Sequence, residues 1–328
     1  MAKVYDDPVD LTPLMVNQII QDDELRMIRF FKPCDEDFWA SFNKLILQER
    51  KDISIWFQSN TKFVWNNFDF LVKLTNLENL NIVRAEISDL TPFAKLSNLK
   101  LLSIGNNHSE AMQLHPLQSL KSLESLYLSG NINGYETINS LPKLSKLGIS
   151  SYSPDLNLTH FYDALLNLQN LQLNGELIKN LHLLAEAKKI KYLYLSSIEN
   201  ASIDLAFISK MLSLTLLELR YIEELEFLPS FAECRNLGRV VLEGVEKLKN
   251  LDNLKNAQNL EEFAIYEYDS NQFSIEDFEV LTQLPKLKVA YIDFVNDYQM
   301  RDELHKLLEK KGLITQDSVS EKFVKIRS

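Results

Sequence analysis

The triplet L-x-x-L-x-L recurs along this chain at a nearly constant interval, and that recurrence restricts the fold more than any other feature. Leu77, Leu80 and Ile82 return 22 residues later as Leu99, Leu102 and Ile104. The series continues through Leu123/Leu126/Leu128, Leu144/Leu147/Ile149, Leu168/Leu171/Leu173, Ile190/Leu193/Leu195, Leu214/Leu217/Leu219, Leu237/Val240/Leu242, Leu260/Phe263/Ile265 and Leu287/Ala290/Ile292. The steps between first members are 22, 24, 21, 24, 22, 24, 23, 23 and 27 residues. Because side chains alternate faces along a strand, the last two apolar members of each triplet lie on one face of a short strand. One such strand cannot bury that face alone, whereas a stack of them can.

Further apolar columns run ahead of each triplet. Three residues before the first leucine stand Leu74, Leu96, Leu120, Leu141, Leu165, Ala187, Met211, Cys234, Ala257 and Leu284. Six before, every position is again apolar or aromatic, from Leu71 and Phe93 through Tyr162 to Leu281. Nine before, the column from Phe68 to Phe278 fails only at Thr159. A spacing of three to four residues next to a spacing of two predicts a helical turn packed on each strand.

The stretch ISDLTPFAKLSNLKLLSIGNN, from Ile87 to Asn107, resembles the short leucine-rich repeats of internalins and of the leucine-rich-repeat regulators of protein phosphatase. The resemblance extends over residues 68–295. It implies an α/β fold, a leucine-rich repeat solenoid with a curved parallel β-sheet on the concave side, short helices or 3-10 turns on the convex side, and helical caps. About function it implies little beyond binding, since this scaffold carries surfaces of unrelated specificity. The family's asparagine, eight residues after the first leucine, is present as Asn107 and Asn131 but replaced by Ala85, Tyr152, Glu176, Ile198, Ile222, Val245, Tyr268 and Val295.

Three regions follow: an N-terminal capping region over 1–67, a repeat array of about ten units over 68–295, and a C-terminal cap helix with a tail over 296–328. In the first, Leu25, Ile28 and Phe30 suggest an opening edge strand. Cys34 or Asp35 suits a helix N-cap ahead of a face made by Phe38, Phe42, Leu45 and Ile46, and Ile53 to Phe57 reads as a strand. In the last, Met300, Leu304, Leu307 and Leu308 form a stripe that stops at Lys310, Lys311 and Gly312, and the tail beyond Leu313 reads as flexible or loosely docked. An array that grows in one dimension needs no second core, so the 328 residues read as one elongated domain.

Charge and composition narrow the function classes. With 46 acidic against 35 basic residues the chain carries a net charge of −11, which disfavours nucleic acid as partner. The start MAKVYDDPVDLTPL lacks the apolar core of a secretion signal and no apolar run is long enough to cross a bilayer, so the expected location is the cytoplasm, without membrane association. Cys34 and Cys234 make no disulfide framework, and Cys234 falls in an apolar column as a buried structural thiol. The 8 glycines form no phosphate-binding loop, and the 5 histidines are scattered without a second ligand at a metal-binding spacing. No cofactor or metal is expected, and the chain reads as no enzyme.

The informative surface is the concave face, where the residues flanking the inward pair of each triplet point off the sheet. Nothing in the core dictates their identity. The register names Trp56, Tyr127, Gln172, Tyr192, Tyr194, Glu218, Arg220, Glu243, Glu262, Tyr266, Tyr291 and Asp293 as candidate partner-binding residues. Tyrosine, tryptophan and arginine anchor protein interfaces by burying large area at small entropic cost while keeping a polar handle. The acids from Glu218 onward, with Glu223, Glu224, Glu226 and Glu246 on adjacent loops, predict an acidic C-terminal trough. The expected function is therefore non-enzymatic protein binding by a chain that is monomeric alone, with an immunity or inhibitor protein against a basic partner as the specific form. A scaffold or regulatory subunit of an enzyme such as a phosphatase is the first alternative, and a carbohydrate-binding protein the second.

Overall fold

The computed structural model describes residues 3–8, 10–151, 156–199, 204–266, 272–292 and 298–313. It divides into two compact units, Met1–Ser153 with His160–Ala164 and Pro154–Thr159 with Leu165–Ser328.

In the first unit the strands β1 (Lys3–Asp6), β2 (Leu25–Phe30), β3 (Ser54–Gln58), β4 (Asn79–Ala85), β5 (Leu101–Asn106), β7 (Ser125–Ser129) and β9 (Lys146–Ser150) pair in chain order, all parallel. Two short strands, β6 (Met112–Gln113) and β8 (Ile132–Asn133), form a separate parallel pair. The register aligns Ile28, Ile55, Leu80, Leu102, Leu126 and Leu147 in one row and Phe30, Phe57, Ile82, Ile104, Leu128 and Ile149 in the next. Every one of these side chains is buried. From β3 onward the connections in this unit carry 3-10 turns such as Thr91–Lys95 and His115–Ser119, each with a proline at its second position and each burying that proline with an apolar neighbour, Phe93 or Leu117. Their three-residue period is the spacing read ahead of each triplet.

The chain before β4 differs from expectation in two places. The edge strand is β1, not Leu25 to Phe30. With a mostly exposed burial pattern it carries no apolar alternation by which a sequence reading would find it. Helix α1 (Pro13–Gln21) is capped by Thr12 and α2 (Glu36–Phe42) by Asp35, whose carboxylate accepts from Phe38 N at 2.7 Å. A π-turn over Asn43–Leu47 then shifts the helical phase, so Leu45 is 38 % exposed while Trp39, Phe42, Ile46 and Leu47 are buried. Trp39 stacks on Phe70 with centroids 4.5 Å apart. Arg50, itself buried, donates to the carbonyls of Ile19, Asp22 and Leu25 at 2.6, 2.9 and 3.0 Å and pairs with Asp52 at 2.9 Å, tying α1 and β2 to the chain ahead of β3.

The second unit continues the pattern with β10 (Asn170–Asn174), β11 (Tyr192–Ser196), β12 (Leu216–Arg220), β13 (Arg239–Glu243), β14 (Glu262–Tyr266) and β15 (Val289–Ile292), parallel and in chain order. Leu171, Leu193, Leu217, Val240, Phe263 and Ala290 align and are buried. Most connections are again 3-10 turns, but α4 (Glu279–Gln283) is α-helical, as is α3 (Tyr162–Leu165), whose first three residues are counted with the first unit. The α-turn explains the one gap in the apolar columns. Its four-residue step moves the register back by one, so Leu158 and Phe161 are buried where Thr159 and Tyr162 were expected. Helix α5 (Tyr298–Lys310) buries Leu304 and Leu308 and ends at Gly312, whose φ is +74°. The tail from Ile314 lies outside the described residues.

The expected asparagine is displaced by one position. Asn106, not Asn107, is buried, accepting from Ile87 N at 2.8 Å and donating to Ile87 O at 2.8 Å, while the Asn107 side chain is exposed. Where the family's asparagine is missing, Ala85, Ile198, Ile222 and Val245 are buried apolar substitutes. The fold is that of the leucine-rich repeat proteins.

Candidate functional site

The face of the second unit's sheet opposite the leucine rows carries three columns of positions, of which Ser196, Arg239, Val241, Glu243, Ala264 and Val289 are buried and the rest half-buried. Asn170, Tyr192, Leu216, Arg239, Glu262 and Val289 align at the strand starts, and Gln172, Tyr194, Glu218, Val241, Ala264 and Tyr291 in the middle. Asn174, Ser196, Arg220, Glu243 and Tyr266 align at the ends. Parallel strands spaced at about 4.8 Å bring side chains of one column within reach of the next. A network forms there that no single strand announces.

Arg220 is its centre. Its Nε and one terminal nitrogen donate to Oε2 of Glu218 at 3.0 and 2.7 Å, and its other terminal nitrogen donates to Oε2 of Glu243 on β13. Both glutamates are held from the far side as well. Tyr192 OH donates to Glu218 Oε1 at 3.4 Å, and Tyr221 OH donates to Glu243 Oε1 at 2.6 Å. Two rings lie within cation–π range of the guanidinium, Tyr194 at 5.7 Å and Tyr266 at 5.8 Å from Cζ to centroid. Tyr266 in turn meets Tyr291 edge to face at 5.6 Å. Arg239 Nη1 lies 3.6 Å from Glu262 Oε2.

Protonation follows from these contacts. Burial pulls the Arg220 guanidinium downward, but the hydrogen bond and charge of Glu218, with Tyr266 and Glu243, more than offset it, and the group stays firmly charged. Burial and then the neighbouring Glu218 carboxylate push the Tyr192 phenol up, so it stays a donor at neutral pH. Burial alone raises Tyr127.

The structure therefore alters the sequence picture of an acidic trough. Glu218 and Glu243 are paired within the chain, Glu243 is 7 % exposed, and Arg239 is 8 % exposed. The loop acids Glu224 and Glu226 are engaged by Lys247 and Lys249 at 2.5 and 2.6 Å. Tyr192, Tyr194, Glu218, Arg220, Glu243, Glu262, Tyr266 and Tyr291 come together in the second unit, with Gln172 half-buried beside Tyr194 in the middle column. Trp56 and Tyr127 belong to the first unit. There Trp56 Nε1 donates to Ser54 Oγ at 3.0 Å, and Tyr127 lies over Gly148, where a Cβ would meet its ring at 2.5 Å. Asp293 lies outside the described residues.

One member, Tyr221, escapes sequence reading. Tyr221 sits one residue past β12 at φ +50°, a conformation unfavourable for an aromatic residue, and is 42 % exposed while its hydroxyl is fixed on Glu243. Gly244 makes room for it, since a Cβ there would meet the Tyr221 ring at 2.6 Å. Arg239 is read from the sequence as a position on this face, and the strand register adds that it faces Glu262.

Other chemistry is sparse. Burial pushes both thiols, Cys34 and Cys234, up to about 11, and Cys234 Sγ donates to Ile208 O at 3.2 Å, as a structural thiol does. Among the described residues no group of three His, Cys, Asp or Glu side chains could hold a metal ion. No helix of the described residues is long and apolar enough to cross a membrane.

Among solved structures, the chain is similar to an internalin, InlF, from Listeria monocytogenes, with 17 % identity over 95 % of this chain and 96 % of that one, at a TM-score of 0.46. It is similar to the leucine-rich repeat protein LIC12759 of Leptospira interrogans, with 14 % identity over 96 % and 100 % of the two chains, at a TM-score of 0.45. It is also similar to a chain of the Toll–Spatzle complex of Drosophila, with 16 % identity over 82 % of this chain and 40 % of that one, at a TM-score of 0.57. At these identities the likeness is one of fold. Neither a family model nor a curated protein matches the sequence.

Proposed function

We propose that this chain is a non-enzymatic protein-binding module that grips its partner with the open face of the second unit's sheet. The observation that carries this reading is the frame around Arg220. Two glutamates, each held in turn by a tyrosine hydroxyl, fix the guanidinium, which lies within cation–π range of the rings of Tyr194 and Tyr266. Rings held in place before contact lose little side-chain entropy on binding, which is the usual character of interface hot spots. The fold's presence in the Toll–Spatzle complex is in keeping with this use.

In its finer form, the chain is a stoichiometric immunity or inhibitor protein of the cytoplasm whose partner is basic. Support comes from the net charge of −11. The face itself, with Glu218, Glu243 and Glu262 against Arg220 and Arg239, supplies one net negative charge, so attraction at a distance belongs to the whole chain. The test is affinity capture from the native host, then surface-plasmon kinetics on the captured protein. Tyr194→Ala should speed dissociation and cost on the order of 2 kcal/mol, while Leu212→Ser, on an exposed residue after the 3-10 turn Ala206–Lys210, should not. Raising salt should slow association with a basic partner. Equal loss from both substitutions would refute the face as the binding surface.

A further inference from the structure

A second surface lies on the loop that leaves β12. Phe227 is 53 % exposed and stands at a cleft of about 480 Å³ walled by Leu205 and Pro229. That volume is within the range of sites that accept a ligand side chain with its flanking backbone. Three acids, Asp204, Glu224 and Glu226, line the same cleft, and among the described residues no lysine or arginine does.

The chain itself shows what this combination accepts. From the next repeat, Lys249 places its ammonium 5.0 Å from the centroid of the Phe227 ring and 2.6 Å from Glu226 Oε2. A cation over an aromatic face, closed by a carboxylate, is a recognised way to hold lysine or arginine. Lys249 is about half exposed in this pose, and an ion pair so exposed is worth little and is readily exchanged. Glu224 is similarly engaged by Lys247.

We propose that the Phe227 cleft docks a short basic segment of a partner protein, a bulky aliphatic side chain entering between Leu205 and Pro229 while a neighbouring arginine or lysine takes the place of Lys249 on Phe227 and Glu226. Lys249 is then an internal placeholder that competes with the partner. This site is independent of the sheet face around Arg220.

Fluorescence anisotropy on the full chain tests it, with a fluorescein-labelled, end-blocked hexapeptide of alternating leucine and arginine as probe and the same peptide with glutamate for arginine as control. The arginine peptide should bind at least tenfold more tightly than its acidic counterpart. Phe227→Ser should weaken it at least tenfold and Glu226→Gln severalfold, whereas Lys249→Met should tighten it severalfold by removing the competitor. Tyr194→Ala should leave it unchanged, which separates failure here from failure of the sheet-face reading. All these positions are at the surface, and unchanged circular dichroism will verify folding. Equal binding of the acidic peptide, indifference to Phe227→Ser, or weaker binding by Lys249→Met would each overturn the proposal.

Discussion

The ring of Tyr127 lies across the α-carbon of Gly148 on the neighbouring strand, so close that a Cβ built there would meet Cδ1 at 2.5 Å. Glycine is otherwise a poor strand residue. Its presence in this column is explained by the tyrosine. Gly148→Ala should therefore lift the ring and destabilise the chain by about 1–2 kcal/mol in urea titration, as overpacking does. In a Tyr127→Ala background the same substitution should stabilise by about 0.5–1 kcal/mol, because the glycine's entropy cost remains and the clash is gone. Additive effects in the double mutant would disprove the contact.

Tyr192 makes an alkaline prediction. Its folded pKa is raised by burial and then by Glu218, above the ordinary phenol value of about 10. A raised folded pKa gives stability that is present below pH 10 and lost as pH climbs, because the unfolded chain releases its proton first. Phenolate absorbance should show a tyrosine titrating late in the native chain and missing from Tyr192→Phe. The stability of the native chain should also fall more steeply above pH 10 than that of the variant. Identical titrations would mean that the phenol is solvated.

Much of this fold was legible because the core repeats. Leu171, Leu193 and Leu217 occupy one row for a reason visible in sequence, namely that each must bury against the last. Reading failed where local geometry changed the step. The π-turn at Asn43–Leu47 turned Leu45 outward, and the α-turn at Tyr162–Leu165 moved burial to Leu158 and Phe161. The site was legible as a list of outward positions but not as a network. Pairing between Arg220 and Glu243 needs adjacent strands in known register, and Tyr221 joins only because the backbone turns left-handed there. Of the acids whose positions predicted an acidic trough, Glu218, Glu243, Glu224 and Glu226 are thus held in ion pairs within the chain.

The row through Leu171 also sets a stability scale. Leu171 is fully buried and aligned with Leu193 on β11. Leu171→Ala should cost roughly 2–5 kcal/mol in denaturant titration, the transfer loss plus a cavity that neighbouring repeats only partly fill. A cost well below 1 kcal/mol would show that the strand is not packed in this register.

Arg220 permits the sharpest test of what the face is for. Arg220→Met leaves Glu218 and Glu243 without their cation and should cost about 3 kcal/mol, the penalty of stranded buried charge. Lysine at the same position keeps the charge but loses the fork that reaches both carboxylates, so Arg220→Lys should fall between. The triple variant Glu218→Gln, Arg220→Met, Glu243→Gln removes the charges together and should return close to the native stability. Since it keeps Tyr194 and Tyr266 while dissolving the frame between them, its binding to the captured partner measures preorganisation alone. Native stability with faster dissociation is the expected pair of results, and unchanged dissociation would show that the frame around Arg220 contributes nothing to binding.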